Sequence, residues 1–175
     1  MTATPSIPSR IQSGEQLAPF RLETLSHGTI EVPSGGWLHL QFRRFAGCPI
    51  CNLHLRTFTR ELPQLEAAKI RTVAFFHSNA DELRDVPFPV VADPERTWYR
   101  RFAVEQSAFA AMHPAAMASA MRGLFLSGTH PLKAEGGTSG LPADFLIDPK
   151  GRVVAAHYGS HADDSWSVAD VLKQR

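Results

Sequence analysis

Two cysteines, Cys48 and Cys51, are the residues of this sequence whose type and spacing most directly indicate chemistry. The chain has no other cysteine, so it is not a disulfide-rich scaffold, and a Cys-Pro-Ile-Cys spacing is typical of a redox pair. A thiolate is the nucleophilic form of cysteine, and a neighbouring thiol can attack a mixed disulfide or a sulfenic acid formed on it. The spacing therefore predicts thiol oxidoreductase chemistry.

Positive charge surrounds this pair in the sequence. The segment 32–60 contains no acidic residue, and its basic side chains are Arg43, Arg44, Arg56 and Arg60. Cations near a thiol favour its ionised form and so lower its pKa. We therefore expect Arg43 and Arg44 to stabilise a thiolate at the pair, or to help to bind its substrate.

The segments on either side of the pair predict how it is positioned. Residues 37–42, WLHLQF, alternate in polarity and predict a strand. From Pro49 onward the apolar residues follow helical spacing, although Pro63 should kink or divide that helix. Cys48 would then stand at a helix N-terminus, where the helix dipole and free N–H groups stabilise a thiolate. Cys51, one turn inside, would be the resolving thiol.

The remaining pattern predicts an α/β domain with a mixed central sheet flanked by helices. In chain order it predicts a hairpin over 20–32, a strand over 70–76, a short helix capped by Ser78, a strand over 88–92, a helix begun by Asp93-Pro94, a helix within 108–126 interrupted at Pro114, strands over 145–147 and 153–158, and a last helix capped by Asp164 or Ser165. Residues 1–15 read as a flexible tail, and 16–175 as a single domain.

His77 ends the predicted strand over 70–76, at the sheet edge where Cys48 is expected. An imidazole in that place can stabilise the thiolate or the substrate, or act as a proton shuttle. The alternative is that His77 merely caps the strand or the next helix, and the sequence leaves both open.

Composition excludes several classes of protein. With 43% hydrophobic and 20% charged residues, the 175-residue chain is neither disordered nor a coiled coil. Its 18 basic and 17 acidic residues give a formal net charge of only +1, which does not favour binding to nucleic acid or a membrane surface. Residues 1–20 lack the apolar core of a secretory signal, and we expect a cytoplasmic protein. The sequence contains no Gly-rich phosphate-binding loop, so we expect no organic cofactor.

A metal site is the alternative use of the two cysteines. His54 follows Cys51 by one helical turn, so Cys48, Cys51 and His54 form a conceivable three-ligand site for zinc or copper. Structural zinc usually takes four ligands, and the chain has only two thiols. A non-enzymatic metal-binding module therefore stays open beside the redox hypothesis, which expects no metal.

Three stretches resemble the thioredoxin-fold superfamily and, within it, the peroxiredoxin-like family of alkyl hydroperoxide reductases and thiol-specific antioxidants. They are Ala18-Pro19-Phe20 with the hairpin that follows, FRRFAGCPICNLHL at 42–55, and GLPADFLIDPKGRVV at 140–154. The resemblance implies a thioredoxin-like fold with an N-terminal hairpin and a helical insertion at about 105–140, large enough for a lid or a homodimer surface. It also implies that Pro142 is a cis-proline beside the thiols.

The resemblance implies reduction of a hydroperoxide or a disulfide by Cys48 and Cys51, with a thioredoxin or glutathione as reductant. The sequence departs from the family where the peroxide is usually held. The expected Pro and Thr positions ahead of the nucleophile contain Gln41 and Phe45, and the family's late Arg has no counterpart near Pro142. Because Cys-Pro-x-Cys also resembles the glutaredoxin motif, a disulfide reductase without peroxidase activity is the alternative.

Overall fold

An antiparallel hairpin opens the described part of the chain. The structure, a computed structural model, describes residues 9–83, 86–104, 112–127 and 140–175. Strands β1 (Phe20–Glu23) and β2 (Thr29–Val32) pair antiparallel, with Phe20 opposite Val32. Their alternate apolar side chains are buried against the main sheet, as the alternation in the sequence predicts.

The central sheet has five strands in the order β5-β4-β3-β6-β7. In chain order they are β3 (Trp37–Phe42), β4 (Ile70–Phe76), β5 (Val90–Ala92), β6 (Ala143–Ile147) and β7 (Val153–Tyr158). β3, β4 and β5 run parallel, whereas β6 and β7 are antiparallel to their neighbours. The predicted mixed sheet is confirmed, and β3 at its centre leads directly into the cysteine pair.

Helices cover both faces of this sheet. They are α1 (Pro49–Ala67), α2 (Thr97–Arg101), α3 (Pro114–Ser127) and α4 (Val168–Lys173). On one face of the sheet, α1 packs against α3 and α4 over an apolar core. On the other face, a second apolar core is covered by the hairpin and the α2 region. This arrangement confirms the predicted thioredoxin-like fold. None of the helices in the described ranges has the length and apolar character that a bilayer crossing requires.

Local predictions at helix boundaries are corrected in four places. α2 begins at Thr97, with Arg96 at its N-cap, and not at the predicted Asp93-Pro94. α1 runs undivided through Pro63. Ser78 does not cap a helix, because its hydroxyl accepts the N–H of Ala46 at 3.0 Å, and the chain makes only a 3₁₀ turn at Ala80–Glu82. The last helix is capped by Ser167 in a capping box with Asp170, not by Asp164 or Ser165.

Two predicted segments lie largely outside the described residues. These are most of the tail at 1–15, of which 1–8 are not described, and most of the insertion at 105–140, of which α3 is the described part. α3 begins at Pro114, the residue at which the sequence predicted an interruption. The single-domain division and the lid or dimer surface stay predictions.

Candidate active site

Cys48 lies at the N-cap of α1, at the carboxyl end of β3. Its sulfur accepts the N–H of Cys51 at 3.4 Å, and Nη1 of Arg44 donates to it at 3.7 Å. The Asn52 amide donates to the carbonyl oxygens of Ala46, at 2.9 Å, and Cys48, at 3.1 Å, which closes the loop around the sulfur. A helix N-terminus and the guanidinium of Arg44 therefore both face this thiol.

The two sulfurs differ in their ease of ionisation. Burial raises the pKa of Cys48, but the Cys51 thiol, the Arg44 charge and the N–H groups of Cys51 and Ile50 together lower it to about 7. Burial raises the pKa of Cys51 well above its usual value, and the neighbouring Cys48 raises it further. Cys48 is therefore the thiol that ionises first, near neutral pH, while the neighbouring Cys51 thiol stays protonated.

Both sulfurs are enclosed. Cys48 is 0% exposed and Cys51 3%, within an apolar cluster that includes Phe45 and Leu141. α3 closes this region at Gly123, where a Cβ atom would lie 2.5 Å from the carbonyl oxygen of Pro49. A reactant therefore reaches Cys48 only when some of these surrounding elements move.

His77 lies beside Arg44, in the corner between β4 and the chain leading into β6. Its backbone N–H donates to the Arg44 carbonyl oxygen at 3.2 Å, and Nη2 of Arg96 lies 3.4 Å from its Nδ1. Burial, followed by the charges of Arg96 and Arg44, lowers the pKa of His77 to about 4. The ring is therefore neutral at physiological pH.

Arg43 has a different place from the one predicted. Its Nη2 donates to Oδ1 of Asp144 at 2.8 Å and to Nε2 of His54 at 2.9 Å, and its Nε donates to Gln41 at 3.0 Å. The prediction that Arg43 stabilises the thiolate is wrong. Side chains of successive residues in an extended segment point to opposite sides, so Arg44 faces the sulfur while Arg43 turns under α1 to the buried carboxylate.

Asp144 is the centre of a buried polar network beneath α1. Besides Arg43, it accepts hydrogen bonds from Nε2 of His39 at 3.1 Å and from the N–H of Trp166 at 3.0 Å. Thr72 joins the network through His39 at 2.9 Å. Burial raises the pKa of Asp144, but Arg43 and His39 outweigh it and hold that pKa well below its usual value.

Sequence reasoning missed this network, although β3 carried a signal for it. Residues 37, 39 and 41 share one strand face and include His39 and Gln41, yet both strand faces are buried. A polar side chain buried on a helix-covered face needs a hydrogen-bond partner. That rule predicts a partner, but Asp144 is 105 residues away from His39 and only the fold shows which residue it is.

The three-ligand metal site does not form. His54 Nε2 accepts a hydrogen bond from Arg43, so the ring faces the polar network and not the sulfurs. Across the residues that the structure describes, no three His, Cys, Asp or Glu side chains are grouped as metal ligands require.

Pro142 precedes β6 as predicted, but its peptide bond is trans. Within the described residues the cis bond is the one between Val32 and Pro33. The backbone at Pro142 continues directly into the extended β6, and its carbonyl oxygen accepts the N–H of Gly159 at 2.8 Å. A trans X-Pro bond satisfies this geometry and is intrinsically favoured, so the predicted cis-proline is wrong.

Comparison with known proteins identifies the family of this chain. The AhpC/TSA antioxidant enzyme family matches residues 57–161, more than half of the chain. The chain belongs to this family. The match begins beyond Cys51, so the cysteine pair of this AhpC/TSA protein lies outside the matched region. No curated protein matches the sequence.

Solved structures show the same fold at low identity. A mutant of the peroxiredoxin 6 of Arenicola marina is 13% identical with a TM-score of 0.66, covering 93% of this chain and 70% of that one. The peroxidoxin BcpB of Mycobacterium tuberculosis is 15% identical with a TM-score of 0.64, covering 94% of each chain. A structure titled as a thiol:disulfide interchange protein DsbE, from Chlorobium tepidum, is 20% identical with a TM-score of 0.55, covering 95% of each. The predicted peroxiredoxin-like relationship is confirmed.

Proposed function

We propose that this AhpC/TSA protein reduces small hydroperoxides, with Cys48 as the nucleophile and Cys51 as the resolving thiol. The observation that carries the proposal is the inequality of the two sulfurs: the pKa of Cys48 is lowered to about 7, and that of Cys51 is raised. Family membership and fold support thiol-dependent oxidoreductase chemistry in general. The choice of a hydroperoxide is the proposal.

The cycle needs two displacement steps at sulfur. The Cys48 thiolate attacks the terminal oxygen of the hydroperoxide, so that an S–O bond forms, the O–O bond breaks, and the alkoxide leaves and takes a proton from water. The Cys51 thiol then attacks the oxidised sulfur, and its proton leaves with the hydroxide as water. The product is a Cys48–Cys51 disulfide, which a dithiol such as thioredoxin, or two glutathione molecules, would reduce again.

Burial of the pair favours a small oxidant. A protein disulfide must place its sulfur in line with the attacking thiolate, together with the backbone around it. Because Cys48 is 0% exposed, a small hydroperoxide needs far less rearrangement to reach it than a protein disulfide does. The Cys-Pro-Ile-Cys dithiol and the fold shared with a thiol:disulfide interchange protein favour disulfide reduction as the second candidate.

The test is oxidation of the reduced protein by stoichiometric hydrogen peroxide or cumene hydroperoxide. Both free thiols should disappear together, with an intramolecular disulfide in the product. Cys48→Ser should not react, and Cys51→Ser should stop at a sulfenic acid that dimedone labels. Reduction of insulin disulfides by a protein that is inert toward both peroxides would overturn the proposal in favour of the second candidate.

A further inference from the structure

An open pocket lies at the end of α1 that is farthest from the cysteine pair. It is lined by the last turns of α1, the start of β4 and the segment ahead of β5, together with His27 in the turn between β1 and β2. Its volume of about 370 Å³ falls in the range of small-molecule sites. The two ends of α1, Pro49 and Ala67, are about 27 Å apart at the rise of an α-helix. The pocket is therefore separate from the proposed redox site.

The floor of this pocket is apolar. Ile70 and Phe88 line it, are only 3% and 2% exposed, and belong to the core beneath α1. Leu62 of α1 also lines it and is partly buried against the same core. An apolar group that rests on these side chains leaves water without displacing any part of the core. The pocket therefore suits a ligand with an apolar body.

Three charged side chains line the same pocket and do not pair with one another. Lys69 and Arg71 are cations, and Glu66 is the carboxylate among the described lining residues. Within the described part of the chain, none of these three side chains has an ion pair or a hydrogen bond. The cations at the pocket thus outnumber the carboxylate, and their charges are left for a ligand.

The backbone brings Lys69 to this pocket in an unfavourable conformation. Lys69 follows the C-cap residue Ala68 and has a φ of 56°, in the left-handed region that glycine adopts most easily. The carbonyl end of α1 already has another cation, because Arg175 donates to the carbonyl oxygen of Ala68. A lysine in this conformation therefore points to a negatively charged partner in the pocket.

We propose that this pocket binds a small organic anion, a carboxylate or sulfonate on an aliphatic or aromatic body. The anionic group would face Lys69 and Arg71, and the apolar body would rest on Ile70 and Phe88. Glu66 repels the anion, so the arrangement of charges gives the two kinds of substitution opposite effects on affinity. The site is independent of the peroxide chemistry proposed for Cys48.

The experiment titrates the folded protein with anilinonaphthalene sulfonate, an aryl sulfonate that fluoresces in apolar surroundings. The wild type should bind it at one saturable site. Arg71→Gln and Lys69→Asn, in which asparagine tolerates the left-handed conformation, should each raise the Kd about fivefold, the effect of losing one exposed ion pair. Glu66→Gln should lower the Kd. Arg60→Gln, at an exposed cation of α1 that does not line the pocket, is the matched control and should leave the Kd unchanged.

Competition separates the anionic charge from the apolar body. Decanoate should displace the probe, whereas sodium sulfate at equal ionic strength should not. Absence of saturable binding to the wild type overturns the proposal, as does a Kd that changes equally in Lys69→Asn and Arg60→Gln or in none of the variants. Weaker binding in Glu66→Gln, or a probe that decanoate fails to displace, also overturns it.

Discussion

Arg43 and Arg44 are adjacent in the chain and serve two different parts of the molecule. Arg44 places its guanidinium 3.7 Å from the Cys48 sulfur, whereas Arg43 is 1% exposed and pairs with Asp144. One cation acts on the reactivity of a thiol, and the other compensates a buried carboxylate. Substituting each separately should therefore separate chemistry from stability.

Arg44→Met should raise the pKa of Cys48 above about 7, because it removes the positive charge that stabilises the thiolate. Only the thiolate is alkylated, so the rate rises with pH through this pKa, and the variant should need a higher pH for the same rate. The measurement is the pH profile of iodoacetamide alkylation in the Cys51→Ser background, where Cys48 is the only thiol.

Arg43→Met is the matched control. It should leave the midpoint of alkylation in place but lower the free energy of unfolding by about 3–5 kcal/mol, the usual effect of leaving a buried charge unpaired. Urea denaturation measures the loss. An equal shift of the alkylation midpoint in both variants would contradict the division of roles.

The sequence indicated the right kind of residue near the thiols but did not distinguish between the two arginines, both of which it placed there. Local charge and spacing predicted Cys48, Cys51, Arg44 and the sheet-edge place of His77. The direction of Arg43 depends on Asp144, a partner 101 residues away that no local pattern reveals. The same long-range dependence concealed the polar network.

At the scale of elements, the start of α1 is confined by α3. Gly123 lies against Pro49 so closely that a Cβ would be 2.5 Å from the carbonyl oxygen, a distance that real contacts do not reach. The absence of a side chain at this one position therefore determines how near α3 comes to the cysteine pair.

Gly123→Ala should push α3 away from α1. The steric strain exceeds the modest gain in helix propensity, so the variant should lose about 1–3 kcal/mol of stability. It should also open the cluster around Cys48 and speed its alkylation. Met117→Ala, on an exposed side chain of the same helix, should change stability by less than about 0.5 kcal/mol. Slower or unchanged alkylation in Gly123→Ala would contradict this role of α3.

The boundaries of an element could be predicted wherever they depend only on the local sequence pattern. The bounds of β3, β4 and β7 match the alternation and the apolar runs of the sequence. Pro63 did not divide α1. On either side of this proline, Phe58 and Leu65 are fully buried, so the packing of the helix holds it together through the proline. Ser78 was misassigned because its hydroxyl bonds to Ala46, across the sheet edge, instead of to its own turn.

At the scale of the whole molecule, three buried imidazoles make folding sensitive to acid. Burial is the largest of the causes that lower the pKa values of His39, His54 and His77. The pKa of His77 is lowered to about 4. The unfolded chain therefore binds protons more readily than the native protein below about pH 6.5. Stability is fully present above that pH and is lost as the pH falls.

The free energy of unfolding should decrease from pH 7 to pH 5, with each imidazole contributing up to about 1.4 kcal/mol per pH unit. Urea denaturation across this range measures the slope. His54→Gln, which keeps an acceptor for Arg43 but cannot titrate, should show a smaller slope than the wild type. A stability that does not change between pH 7 and pH 5 would mean that these rings do not remain neutral in the native state.

The Cys48 sulfur, the nucleophile of the proposed reaction, is also the atom that caps α1. Oxidation to a disulfide removes its negative charge and with it the strongest acceptor for the Cys51 N–H. The first turn of the helix is then held less firmly, and α3 rests directly on that turn at Pro49. In the proposed cycle, each turnover would loosen and restore this first turn, and the surface offered to the proposed reductant would differ between the two forms.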